Sequence, residues 1–65
     1  MLIKRILDAR GIRRRWLAEQ LGVSPAYVSR LLSGERRWTR ELRAEAARVL
    51  MLPEDVLFAR IEQEA

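Results

Sequence analysis

The sequence predicts an all-α fold, one compact domain of five short helices, and three observations carry that prediction. Apolar residues recur at spacings of three and four along the whole chain, the period of a helix with one buried face. Ser24 and Thr39 stand where helices would begin, while Gly11, Gly22, Gly34 and Pro53 stand where they would end or break. No segment alternates at the two-residue period of a strand.

Leu2, Ile3, Ile6 and Leu7 share one face of a first helix ending near Arg10, with Gly11 as its stop. A second helix runs from about Arg14 to Leu21, with Leu17, Ala18 and Leu21 inward. Gly22 suits the left-handed conformation of a tight turn, from which Val23 plugs back into the core. Ser24-Pro25 opens a third helix, because a serine hydroxyl accepts an orphan amide hydrogen bond and proline's missing donor is harmless in the first turn. Its inward residues are Val28, Leu31 and Leu32, and Ser33-Gly34 ends it in a polar loop, Glu35-Arg36-Arg37-Trp38. Thr39 caps a fourth helix carrying Leu42, Ala46, Val49 and Leu50, until Pro53 breaks it. Glu54 and Asp55, favourable at the positive end of a helix dipole, open a fifth helix with Val56, Leu57, Phe58 and Ile61.

At 65 residues the chain holds one domain, spanning residues 1–65, and one small core. The absence of Cys excludes a disulfide framework and a catalytic thiol, and the absence of His removes the commonest general base and metal ligand. An enzyme built on carboxylates, hydroxyls or Lys4 would need a water-poor pocket that so small a core hardly encloses. The expectation is therefore no enzyme, no cofactor and no metal. Asp8 and Glu19 are assigned no chemistry, Asp8 being read as an exposed charge that balances Lys4 or Arg5. No apolar stretch of signal-peptide or membrane-span length occurs, so the expected location is the cytoplasm.

Charge narrows the class of partner. Residues 1–40 carry ten basic and three acidic side chains, a balance of +7, whereas residues 41–65 carry three basic and six acidic ones, a balance of −3. A basic first part joined to an acidic tail suggests a polyanion docking on the N-terminal two-thirds, although a solvated charged surface would show the same composition.

Two short helices joined by a Gly-containing turn form the helix-turn-helix unit, which lays its second helix in the major groove of double-stranded DNA. Ala18 is small where the two helices approach, Gly22 turns the chain, and Leu17, Leu21, Val23, Val28 and Leu31 fill the space between and beneath them. In the run Trp16-Leu-Ala-Glu-Gln-Leu-Gly-Val-Ser-Pro-Ala-Tyr-Val-Ser-Arg-Leu-Leu-Ser-Gly34 the sequence resembles the Xre/Cro-like family of phage repressors and bacterial regulators. The resemblance extends through Thr39-Arg-Glu-Leu42 and Leu52-Pro-Glu-Asp-Val-Leu-Phe58. It implies a phage-repressor-like fold, with a recognition helix at about residues 24–33.

Setting 100° per residue from Val28, the outward face of that helix holds Ala26, Arg30 and Ser33, flanked by Ser29 and Tyr27. An arginine donates two hydrogen bonds to guanine O6 and N7, an alanine methyl packs on a thymine methyl, and a serine hydroxyl serves either kind of base. The resemblance points to the same early positions, with Pro25, Ala26, Ser29 and Arg30 as base contacts. Ser24, Tyr27 and Ser33 are placed on the DNA backbone, the Tyr27 hydroxyl either reaching a phosphate or only shielding the turn.

Arg13, Arg14 and Arg15 begin the second helix, where the dipole disfavours cations and where the family often carries a polar cap. A phosphate drawn in by the dipole and neutralised by Arg14, with Arg13 beside it, would resolve the conflict, while Arg15 is read as swinging into water. Arg36, Arg37 and the loop up to Thr39 form a second phosphate clamp, and in the family this loop touches the sugar-phosphate backbone. Trp38 either lies against that backbone or covers the core, and Trp16 is equally open. Glu35 departs from the basic loop pattern and would repel a phosphate, unless it orients Arg36 or Arg37. Met51 stands where the family often has a helix-ending Gly, so the fourth helix is expected to run one residue further.

Two rivals remain. An interaction module, such as an antitoxin or a dimerising helical domain, would be favoured by exposed Phe58 and Ile61. RNA binding would need a stacking platform or clamp loop that the sequence does not display. Twelve Arg against one Lys, with no His, Cys or Asn, suits a GC-rich or heat-adapted bacterium and equally a computationally redesigned scaffold. Whether the chain would act on DNA as a monomer or a homodimer is left open.

Overall fold

A computed structural model describes residues 1–59 and contains five α-helices: α1 (Ile3–Arg10), α2 (Arg14–Leu21), α3 (Pro25–Ser33), α4 (Arg40–Leu50) and α5 (Glu54–Leu57). No strand occurs among the described residues. Most of the inward residues expected from helical spacing form the core: Ile3 and Leu7 from α1, Leu17, Ala18 and Leu21 from α2, Val28, Leu31 and Leu32 from α3, Ala46 and Leu50 from α4, and Leu57 from α5, while Leu2, Ile6, Leu42 and Val49 are half-buried and Val56 is exposed. Each fully buried Leu, Ile or Val removes enough apolar surface from water to contribute roughly 1.5–3 kcal/mol. No charged side chain among the described residues is buried with them.

Three helices end in the same way. The turn residue's N–H returns to a carbonyl three residues back, and the next residue's N–H to a carbonyl five back. The pairs are Gly11 to Asp8 with Ile12 to Leu7, Gly22 to Glu19 with Val23 to Ala18, and Met51 to Arg48 with Leu52 to Ala47. This closure satisfies orphan carbonyls and turns an apolar side chain back onto the core. Ile12, Val23 and Leu52 all pack there. At Gly22, with φ +73°, the closure also sets the tight corner between α2 and α3.

Two boundaries differ from expectation. Helix α4 stops at Leu50, and Met51 itself adopts the left-handed conformation at φ +59°, leaving its side chain 87% exposed. The paired closing bonds and the inward packing of Leu52 hold a residue without glycine's freedom in that conformation. Helix α5 has only four residues, and Phe58 is its cap rather than its continuation. The Leu57 carbonyl accepts the Leu2 N–H at 3.0 Å, tying the start of α1 to the end of α5. Ile61 lies outside the described residues.

Candidate nucleic-acid interface

Helix α2 packs against α3 and α4, and the α2–α3 corner is built from residues of opposite demands. Ala18 of α2 is almost wholly buried, so a longer side chain there would overpack the core. Ser24 starts α3 by accepting the Tyr27 N–H on its Oγ at 3.1 Å, with Pro25 in the first turn. That bond uses an oxygen lone pair, so the Ser24 hydroxyl hydrogen stays free to donate to an acceptor outside the protein. Thr39 repeats the device at the start of α4, its Oγ1 accepting the Leu42 N–H at 3.1 Å.

The partition of α3 follows the helical wheel. Val28, Leu31 and Leu32 are buried, while Pro25, Ala26, Ser29, Arg30 and Ser33 are exposed and Tyr27 is half-buried at the edge. Ser33 is less free than the wheel suggests, because its hydroxyl donates to the Arg30 carbonyl at 3.1 Å. Its hydrogen is committed inside the helix.

The flanking cations separate into two places. Arg30 and Arg36 line a cleft of about 460 Å³ together with Glu35. Arg13 lines a different, more apolar hollow of about 470 Å³ with Gly11, Ile12, Arg15, Trp16 and Glu19. Helix α2 begins as the sequence implies, with Arg13 at the cap position and no side chain capping the first turn. Arg14 is half-buried rather than fully exposed, because it continues the Leu17 and Ala18 stripe one turn toward the N-terminus. Arg37 is exposed.

Of the two places left open for Trp38, the side chain takes the core. Its ring is core, 8% exposed, edge-on to Phe58 with centroids 4.9 Å apart, and its Nε1 is sealed from solvent without a hydrogen-bond partner. The side chain therefore presents no donor to a phosphate. Phe58 is covered in turn by the Arg43 guanidinium, 4.9 Å from its centroid, in a cation–π contact.

One interaction went unseen in the sequence. Glu35 pairs neither with Arg36 nor with Arg37 but with Arg30, its Oε2 lying 3.9 Å from Arg30 Nε. Gly34 stands between them, and its left-handed conformation turns the following residue back toward the last turn of the helix it ends.

Together these features define a helix-turn-helix module: a small-residue contact, a glycine corner, and a capped second helix whose outer face is polar and basic. The chain belongs to the helix-turn-helix domain family, whose profile matches residues 2–60, in agreement with the Xre/Cro-like resemblance. No curated protein and no solved structure matches it. Membership of this family indicates DNA binding. No helix among the described residues is long and apolar enough to cross a membrane.

Proposed function

We propose that the chain binds double-stranded DNA sequence-specifically, with α3 in the major groove and Arg30 donating to guanine O6 and N7. The observation that carries this reading is the clean division of α3, its apolar residues buried and Pro25, Ala26, Ser29 and Arg30 exposed on one surface. Arg30 is the only long donor on that surface. Ser24 and Thr39, with free hydroxyl hydrogens, and the exposed Arg13, Arg36 and Arg37 supply backbone contacts around it, with Arg14 contributing from α2 and Tyr27 from the edge of α3.

Such a module serves as a phage or bacterial transcriptional regulator, or as an engineered binder of a chosen site. The interaction-module reading drew on an exposed Phe58. That ring packs against Trp38 and Arg43, which weakens one of the reading's two grounds, while the other, Ile61, lies outside the described residues.

Selection from a random duplex pool identifies the site: a palindrome with half-sites about 34 Å apart indicates a homodimer, and a single short motif a monomer. On the selected duplex, Arg30→Ala is expected to remove ~1–3 kcal/mol of discrimination at one or two adjacent base pairs. Thermal stability should stay unchanged. Equal weakening on selected and scrambled duplexes would demote Arg30 to a phosphate contact.

A further inference from the structure

We propose that Glu35 is a specificity-determining residue of the α3 surface, positioning the Arg30 guanidinium for a base and denying it to phosphate. The inference rests on the α3 reading above and adds a residue that reading does not use.

Helix α3 ends unlike the other three. At the ends of α1, α2 and α4 the residue after the turn is apolar and packs on the core: Ile12, Val23 and Leu52. At the end of α3 that place is held by Glu35, which has no use for the core. The closure changes accordingly. Gly34 N–H still returns to the Leu31 carbonyl, but the next closing bond moves one residue along and runs from Arg36 N–H to the Arg30 carbonyl at 3.2 Å. Glu35 is thereby held outward within a loop fastened at both sides, and its carboxylate comes to rest beside the guanidinium of the residue to which the loop is tied.

The edge that Glu35 takes matters. It lies against Nε, so the two terminal nitrogens of Arg30 stay available, and two parallel donors are what guanine O6 and N7 accept. A phosphate approaching the same guanidinium brings a full negative charge toward the Glu35 carboxylate. A guanine edge brings only neutral acceptors. In water an exposed pair at 3.9 Å does little, but a docked duplex displaces solvent and strengthens both the pairing and the repulsion. Glu35 thus turns a general cation into one that prefers a base, and Arg36, in the same cleft, remains to meet the backbone.

The test compares the wild-type chain with E35Q, R30A and the double variant on the selected and scrambled duplexes, by fluorescence anisotropy across a salt series, with circular dichroism to confirm folding. E35Q is expected to bind scrambled duplex more tightly and to lose about two- to fivefold of its preference for the selected one. Its salt slope on scrambled duplex should steepen by ~0.9 as Arg30 moves to a phosphate. In the R30A background the same substitution should leave the preference unchanged. If R30A flattens the preference while E35Q tightens both duplexes equally, Glu35 is only a surface charge and the proposal falls while the α3 reading stands. If R30A leaves the preference intact, both fall together.

Discussion

The Arg10 guanidinium donates from Nη1 to the Leu50 carbonyl at 2.9 Å, joining the last residue of α1 to the last residue of α4 across 40 positions of sequence. A cation is thereby placed at the negative ends of two helices at once, and it satisfies one of the four carbonyls that the end of α4 leaves without helical partners. Arg10→Ala is expected to cost about 1 kcal/mol, a fall of roughly 4–8 °C in Tm for a domain of this size. Arg10→Lys, which keeps the charge, should recover part of it. Thermal melts of the three proteins decide the matter, and an unchanged Tm in the alanine variant would reduce the bond to a surface contact.

Met51 holds the left-handed conformation that Gly11, Gly22 and Gly34 hold elsewhere, and its side chain lies almost wholly in solvent. Met51→Gly therefore removes a steric cost of roughly 1–2 kcal/mol and loses little packing, against a backbone entropy cost of roughly 0.5–1 kcal/mol. A net gain of up to about 1.5 kcal/mol follows, read as a higher denaturant midpoint. Met51→Ala, which keeps the Cβ, should show no such gain.

What the sequence disclosed and what it hid divide along the range of the interactions involved. The caps at Ser24 and Thr39 act over three residues and the apolar stripes over one or two turns, so the five helices and the core were legible. The end of α4 was not, because Leu52 must find the core before Met51 can be held left-handed. The bond from the Leu2 N–H to the Leu57 carbonyl was hidden for the same reason, since it joins α5 to the start of α1. In the interface, the exposed face of α3 followed from the wheel. The Arg30–Glu35 pair did not, because it depends on how a loop returns after Gly34.

Acid should weaken α4. Arg48 donates to both carboxylate oxygens of Glu45, at 2.9 and 2.8 Å, and these bonds first, with the guanidinium charge adding to them, hold the Glu45 carboxyl below its ordinary range. A carboxyl depressed in the folded state contributes stability above its unfolded pKa and loses it as pH falls through the folded one. Wild-type and Glu45→Gln proteins should thus differ in urea midpoint at neutral pH and converge only in acid below the ordinary carboxylate range. High salt should narrow the neutral-pH difference, because both partners are exposed. A difference that persisted in acid would assign the effect to something other than the ion pair.

The cations proposed to meet phosphates make the last prediction, and their different burial makes it a sharp one. Arg36 and Arg37 are exposed in the loop after Gly34, so Arg36→Ala and Arg37→Ala should leave Tm unchanged. Each should weaken binding to selected and scrambled duplexes alike and reduce the salt slope by about 0.9, the counterion release of one phosphate. Arg14 is half-buried one turn before Leu17 and Ala18, so Arg14→Ala should lower Tm through lost packing as well as reduce the slope. Arg14→Gln separates the two effects, because it keeps most of the stem and removes only the charge: Tm should largely recover while the slope stays reduced. If the slope recovers with Tm, Arg14 serves the fold alone and the start of α2 makes no phosphate contact through it. A change in base preference in any of the four variants would move that residue from the backbone to the base edges.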